Sequence, residues 1–541
     1  MQIETTGRRI TRALAAHDID TVFGIPGAHL YDLTDAFAAA GNALRFITVR
    51  HEQAAGYMAY GYAQATGRVG AFCVVPGPGI LNAGAALCTA YGANAPVLCL
   101  TGNILAHLIG QGRGQLHELP DQLATLSGLT KAAVRIHHPA EASAVMADVL
   151  GTMLSGRRGP GAVEAPWDVF GQTMPVGDIE IARPRPAPAP HPDEIARAAA
   201  LIASARKPLI MVGGGAVAAG EVIARLAETL GAPVVSHRSG KGIVPDDHPN
   251  VLDMVAAYDD AWPETDLLIG IGSRLELQYL RWPSRPAGLK LLRIDVDPRE
   301  MVRLKPDVGV IADADAGTRA LLAALAPRPP AWSAAELDAM RQRSAARLAT
   351  LQPQLGYLQA IRRALPREGI LVDEVCQMGF AARLAFPVYG PRRYISCGYQ
   401  ETLGFGFNTA LGVKVGRPDA AVVSLCGDGG FLFGAQELAT AIRHRIGVVA
   451  VVFDNSAYGN VRRDQEERYA GRLIGSDLTN PDFVALARSF GVQAERVTSP
   501  AALETALGAA IARNEPAVIV VPVETGSEVS PWPYLMPPAR A

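Results

Sequence analysis

The chain has 541 residues, of which 49% are hydrophobic and 19% charged, with a formal net charge of −2. It is too long for one core, because single cores stop growing at about 250–300 residues, and so neutral a balance gives no electrostatic footprint for nucleic acid or an acidic membrane. Small molecules and copies of itself are the expected partners.

The N-terminal segment MQIETTGRRITRALAAHDID carries acidic residues early and lacks the apolar stretch of a signal peptide. Cysteines 73, 88, 99, 376, 397 and 426 show no Cys-x-x-Cys or Cys/His ligand spacing, which argues against a disulfide framework or zinc site. A reducing compartment, the cytoplasm, is the expectation. Apolar runs at 45–49, 71–75 and 96–100, then 208–212 and 267–271, then 421–426 and 448–453 alternate with amphipathic segments of helical length. Runs that are apolar throughout, separated by helices, predict parallel sheets covered on both faces and an α/β fold.

From 69 to 112 there is no Asp, Glu, Lys or Arg. Pro76, Gly77, Pro78, Gly79 and Pro96 interrupt this stretch too often for a membrane span, so buried strand and helix or a subunit interface is predicted. Two Pro-rich segments, beginning at 182 and 326, divide the chain. Domains are expected at 1–180, 192–328 and 350–530, followed by an irregular tail at 531–541. In the middle domain VGGGAVAAG suggests a dinucleotide loop but lacks the Gly-x-Gly-x-x-Gly spacing.

The third domain carries the clearest chemistry. The run DAAVVSLCGDGGFLFGAQELATAIRHRIGVVAVVFDNSAYGN sets a strand, a Gly-rich turn with Asp428, a helix, and a second strand ending in Asp454 and Asn455. Gly427, Gly429 and Gly430 let backbone N–H groups approach a diphosphate, and Asp428 and Asn455 offer oxygens suited to a hard cation such as Mg²⁺. A Gly-Asp-Gly alone usually marks only a turn.

The spacing from this turn to Asn455 resembles the fingerprint of the thiamine-diphosphate enzymes, with Asp454 replacing the first of two asparagines. Further similarity lies in TVFGIPGAHL (21–30), PGPGILNAG (76–84), NAPVLCLTG (94–102), KPLIMVGGGA (207–216) and GYQETLGFGFNTALG (398–412), and covers nearly the whole chain. The chain is similar to the acetolactate synthase and benzaldehyde lyase branch.

The resemblance implies three doubly wound parallel-sheet domains: pyrimidine-binding, central and diphosphate-binding. It implies thiamine diphosphate and Mg²⁺ as cofactors, with Asp428, Asn455 and the Ala457 carbonyl as metal ligands. Glu52 is the carboxylate that bonds the aminopyrimidine ring nitrogen and so promotes removal of the thiazolium C2 proton; read alone, it is a first-turn Glu favoured by the helix dipole. Gly27, Pro78, Gly79, Glu401 (through its carbonyl), Leu403 and Tyr458 are the other expected cofactor contacts. His29, His117 and Glu118 are expected to handle substrate protons.

Departures from acetolactate synthase are Trp167 in place of its Lys, Asp464 near its Trp, and His117-Glu118 at its Phe-Gln pair; the segment 272–282 also departs from its flavin-site pattern, so no FAD is expected. The implied activity is a 2-oxo acid decarboxylase or carboligase that makes or breaks a C–C bond next to a carbonyl, working as a homodimer or homotetramer. The alternatives are a benzaldehyde-lyase-like enzyme acting on a 2-hydroxyketone and, outside this chemistry, a flavin or nicotinamide oxidoreductase or a non-catalytic nucleotide-binding subunit.

Overall fold

The computed structural model describes residues 2–539. Its framework is three parallel sheets, each formed from one stretch of the chain. The first has six strands in the spatial order Arg45–Thr48, Thr21–Gly24, Gly70–Val74, Val97–Asn103, Gly161–Pro166, Ala132–Arg135. The second has five: Val234–Ser236, Pro208–Val212, Leu267–Ile271, Lys290–Asp295, Val308–Ile311. The third again has six: Tyr394–Ile395, Ile370–Val372, Val422–Gly427, Val448–Asp454, Ala517–Pro522, Gln493–Arg496. The apolar runs are buried at 71–74, 208–212, 267–271 and 448–453, as strands sandwiched between helix layers must be, whereas the edge strand Arg45–Thr48, expected to be of the same kind, has only Ile47 buried.

Antiparallel pairing also occurs among the described residues. Gln2–Thr5 and Thr173–Val176 form a small antiparallel ribbon that ties the chain start to the end of the first sheet's domain.

In the first and third sheets the connections leave in opposite directions between two adjacent strands, opening a crevice at their carboxyl ends where α/β folds bind ligands. In the first sheet this switch lies between Thr21–Gly24 and Gly70–Val74, and in the third between Ile370–Val372 and Val422–Gly427. The loops at 25–29 and 75–79, and at 373–376 and 427–430, therefore rim the two crevices.

The outer domains share one core. Helix Glu52–Thr66 is apolar nearly all round, as a helix covered on every side must be, and it crosses helix Phe405–Gly416 at backbone contact. A Cβ at Gly61 would stand 2.1 Å from the Thr409 carbonyl, and one at Gly412 would stand 1.9 Å from that of Met58. Gly412→Val should therefore force the helices apart, costing about 3 kcal/mol and visibly lowering the thermal unfolding midpoint; an unchanged midpoint would contradict this packing.

The C-terminal segment differs from the irregular tail expected. Trp532–Leu535 is a helical turn with Leu535 buried, because Trp532 packs on Phe380 with ring centroids 5.1 Å apart and its indole N–H bonds Asn460. Arg540 and Ala541 lie outside the described residues. Among the described residues no helix is long and apolar enough to cross a membrane.

Candidate active site

At the third sheet's crevice the strand Val422–Gly427 runs into a single helical turn, Asp428–Phe431. Small residues are required here: a Cβ at Gly427 would lie 2.8 Å from that of Cys376, one at Gly429 2.6 Å from the Tyr458 ring, and one at Gly430 3.0 Å from the Glu374 carboxyl carbon. Asp428 is 3% exposed. Its hydrogen bonds come from neutral donors, the Asn480 amide at 2.7 Å and the N–H groups of Gly429 and Ser456. Burial raises its pKa, the nearby Asp454 charge adds to this, and those donors oppose it.

The next strand ends in Asp454, and the chain turns through Asn455 to a left-handed Ser456 (φ 52°). That turn brings Asn455 Oδ1 to within 3.1 Å of the Ala457 N–H, which it accepts, while Asn455 Nδ2 donates to Glu528 at 2.7 Å. Burial pushes the Glu528 carboxyl up to about 7, with Asn455 lowering it and Asp428 raising it further. The turn 455–458 thus lies against Asp428, with the Ser456 N–H bonding its carboxylate and the Tyr458 ring facing Gly429. Asn480 spans the two carboxylates, donating to Asp428 and, at 2.9 Å, to Asp454. Neither Asn480 nor Glu528 is marked by any motif.

The segment 401–404 crosses between the outer domains. Thr402 accepts the Tyr57 hydroxyl at 2.6 Å, Gly404 abuts Phe433, and Leu403 is half-buried. Glu401 adopts a left-handed backbone (φ 51°), its carboxylate gripped by Arg238 of the central domain at 2.5 Å and by Arg383 at 2.7 Å. Burial opposes its ionisation, but Arg383 and then Arg238 prevail and its pKa is lowered.

In the first domain Glu52 opens its helix behind His51, whose Nδ1 caps the Gln53 N–H. Asn82 donates to Glu52 Oε2 at 3.0 Å. Asn82 belongs to helix Pro78–Ala93, which Pro78 and Gly79 begin and Gly77 (φ 61°) caps. Gly27 rims the same crevice, where a Cβ would press on Val75 at 2.6 Å.

His29, His117 and Trp167, far apart in sequence, form a ring cluster, His29 lying 5.3 Å from His117 and 5.0 Å from Trp167 between centroids. Both histidines are left-handed (φ 71° and 64°), and Nδ1 of each is buried without a hydrogen-bond partner. Burial first, and the His117 charge second, lower the His29 pKa, against a backbone hydrogen bond at Ala28. Glu118 is turned into its own loop, accepting the Gln115 N–H at 2.8 Å.

Gln122, unmarked by any motif, holds this cluster's floor. Its amide accepts the Gly77 N–H at 3.1 Å and donates to the Gly102 carbonyl at 2.8 Å and to buried Glu164 at 2.6 Å. Those two glycines lie against the backbones of His117 and His29, 2.6 and 2.4 Å from where a Cβ would stand.

Among the described residues no three His, Cys, Asp or Glu side chains cluster to hold a metal. The oxygen set at the third crevice is instead one carboxylate, one amide and one backbone carbonyl, the hard-donor mixture that suits Mg²⁺ rather than zinc. A glycine-walled acidic turn on one doubly wound sheet and a helix-opening carboxylate on another are the two halves of a site that works through thiamine diphosphate. Family models agree along the chain: the N-terminal TPP binding domain of thiamine pyrophosphate enzymes matches residues 4–125, the central domain 195–321 and the C-terminal TPP binding domain 374–521. The chain belongs to that family, in its acetolactate synthase branch.

It is 33% identical to a probable 2-ketoarginine decarboxylase, AruI, of Pseudomonas aeruginosa over 506 residues, covering 90% of this chain and 88% of the relative. It is also 33% identical to a probable acetolactate synthase large subunit of Methanocaldococcus jannaschii over 546 residues (95% and 91%). Against the acetolactate synthase isozyme 3 large subunit of Escherichia coli it is 29% identical over 558 residues (98% and 96%).

Proposed function

We propose that the protein is a thiamine-diphosphate- and Mg²⁺-dependent 2-oxo acid decarboxylase or carboligase. The observation that carries this reading is Asp428: a buried carboxylate met only by neutral donors, inside a cradle that a Cβ at Gly429 would fill, beside the oxygens of Asn455 and Ala457. Such a carboxylate lacks a counter-charge, and a bound cation supplies one. The residues therefore fit a metal–diphosphate group. Asp428, Asn455 and the Ala457 carbonyl would hold Mg²⁺, and Gly427, Gly429, Gly430 and Tyr458 would surround the diphosphate. The chemistry that thiamine diphosphate supplies when bound is a nucleophilic carbon that adds to a carbonyl and accepts the electron pair left by a departing group.

Around that chemistry the chain's own residues divide the work. Glu52, kept in place by Asn82, would hold a proton at the aminopyrimidine ring nitrogen; the Glu401 carbonyl would accept from the cofactor's amino group, and Leu403, Gly27, Pro78 and Gly79 would line it. His29 and His117 move protons at the substrate oxygen, and Glu118 joins them only by releasing the Gln115 N–H. Because the His29 pKa is lowered, its ring is neutral and able to accept a proton at pH 7. A rate that depends on neutral His29 should fall only as pH drops below the ordinary histidine value of 6.5, and His29→Asn should remove that acid limb from the pH profile of kcat/KM.

Two relatives are named for decarboxylation of 2-ketoarginine and for synthesis of acetolactate, which supports a 2-oxo acid donor. Trp167, packed on His29 where acetolactate synthase is expected to carry Lys, argues against the second-pyruvate specificity of that enzyme. Release of CO₂ from pyruvate and a panel of longer 2-oxo acids, measured with thiamine diphosphate and Mg²⁺ against a cofactor-stripped control, tests the proposal. Cofactor-dependent release from one of them is expected; none from any would overturn the donor class.

The active species is proposed to be at least a homodimer. Glu52 and Asn82 lie beside an exposed, uncharged face of helix Pro78–Ala93, where Leu81 is 56% and Tyr91 52% exposed. Leu81→Glu should yield monomers by light scattering with lost turnover, and a fully active monomer would refute the arrangement. The cytoplasm is the proposed location, supported by six cysteines that are all free.

A further inference from the structure

Glu437 is a carboxylate with 0% exposure in the turn Ala435–Glu437 of the third domain, yet it serves the first. Both of its oxygens accept the Arg50 N–H, at 3.0 and 3.1 Å, and the His51 N–H also points to it. Thr440, one helical turn on, donates to Glu437 at 2.5 Å and lies 3.4 Å from the Thr48 carbonyl. The two side chains together grip the stretch 48–51 that leaves strand Arg45–Thr48 and enters the helix opened by Glu52. Burying a carboxylate for this purpose is costly, since a neutral acceptor could satisfy two amides. Burial pushes the Glu437 carboxyl up to about 7, against the Thr440 hydroxyl and the Arg50 and His51 N–H groups; what a carboxylate adds over an amide is two acceptor oxygens with no donor between them, and both are used.

We propose that Glu437 is a positioning residue for Glu52, fixing the backbone immediately before it so that its carboxylate is presented in one direction. This rests on the reading of Glu52 as the activating carboxylate. Asn82 restrains the tip of that side chain and Glu437 restrains its root. A displaced root matters because the effect of a general acid–base group depends on hydrogen-bond reach of its target.

The test uses the full-length protein and two variants, Glu437→Gln and the milder Thr440→Val, which keeps the carboxylate but frees one of its restraints. In the apo-protein, amide hydrogen exchange over residues 49–53 is expected to quicken about tenfold in Glu437→Gln, as befits loss of one of the two acceptor oxygens, with the rest of the chain unchanged. At saturating thiamine diphosphate and Mg²⁺, deuterium exchange at C2 of the cofactor should slow about tenfold while cofactor affinity holds within about threefold. Thr440→Val should move both readouts in the same direction by less, and decides the matter if Glu437→Gln fails to fold. Normal C2 exchange in the variants, or a loss matched by equal losses of cofactor affinity and melting temperature, would overturn the proposal. Glu52→Gln separates the two ideas: if it too leaves C2 exchange untouched, the activation reading falls and this one with it, whereas a slow Glu52→Gln beside a normal Glu437→Gln sinks the positioning role alone.

Discussion

Asp428→Asn will weaken binding of thiamine diphosphate with Mg²⁺ by at least about 100-fold, because a ligating carboxylate matters no less than the outer-shell groups whose loss costs 10–100-fold. The fold should not suffer. In the apo-protein burial and the Asp454 charge hold the Asp428 pKa above its unfolded value of 3.8. A raised carboxyl is most stabilising while protonated and loses that advantage as pH climbs through its folded pKa. The neutral amide at 428 removes the ionisation cost but offers one oxygen to the three donors, so apo Asp428→Asn should stay folded and melt close to the parent at pH 7, and should gain far less from added cofactor than the parent does. Calorimetric titration and thermal melts with and without thiamine diphosphate and Mg²⁺ check both halves; full cofactor affinity in the variant would remove Asp428 from the metal site.

Glu52→Gln should leave cofactor affinity and melting temperature nearly unchanged and lower turnover by about 100-fold or more, the scale of a lost general acid–base group. The glutamine keeps an oxygen for Asn82 Nδ2, so the side chain stays where it is, but it cannot hold and return a proton at the aminopyrimidine. Pre-steady-state C2 proton exchange isolates the step. An unchanged exchange rate would take Glu52 out of the mechanism.

The contrast between these two residues and their supports shows what is legible in a linear chain. Gly427 to Gly430 can be read because each glycine stands next to the carboxylate it makes room for, and Asn455 because one strand and one helix separate it from that turn. His29 and His117 are legible only as residue types in loops. Their 5.3 Å approach depends on Gly77 and Gly102 lying beneath them, and on Gln122 tying those glycines together. Asn480 reaches Asp428 because the loop 476–480 folds back on 456–458, with the Tyr458 N–H bonding the Ser476 carbonyl and the Leu478 N–H that of Ser456. Glu437 follows a strongly marked motif, yet its target lies 387 positions earlier. The C-terminal turn is a similar case: Pro-rich composition reads as irregular, and the seat offered to Trp532 by Phe380 and Asn460 favours the helical turn Trp532–Leu535.

By itself the sequence determines the α/β class, the three parallel sheets and the thiamine-diphosphate family. The class and the sheets follow from short-range properties, since strands covered on both faces are apolar throughout; the family follows from the resemblance of its motifs along nearly the whole chain. The tertiary structure alone decides which distant side chains aim, pair or bury the chemical groups. Those choices depend on where separate strands and helices come to rest, which no local pattern encodes. A residue such as Gln122 or Glu437 has an ordinary neighbourhood in sequence and acquires its role only when packing excludes water and leaves a backbone N–H with no other acceptor.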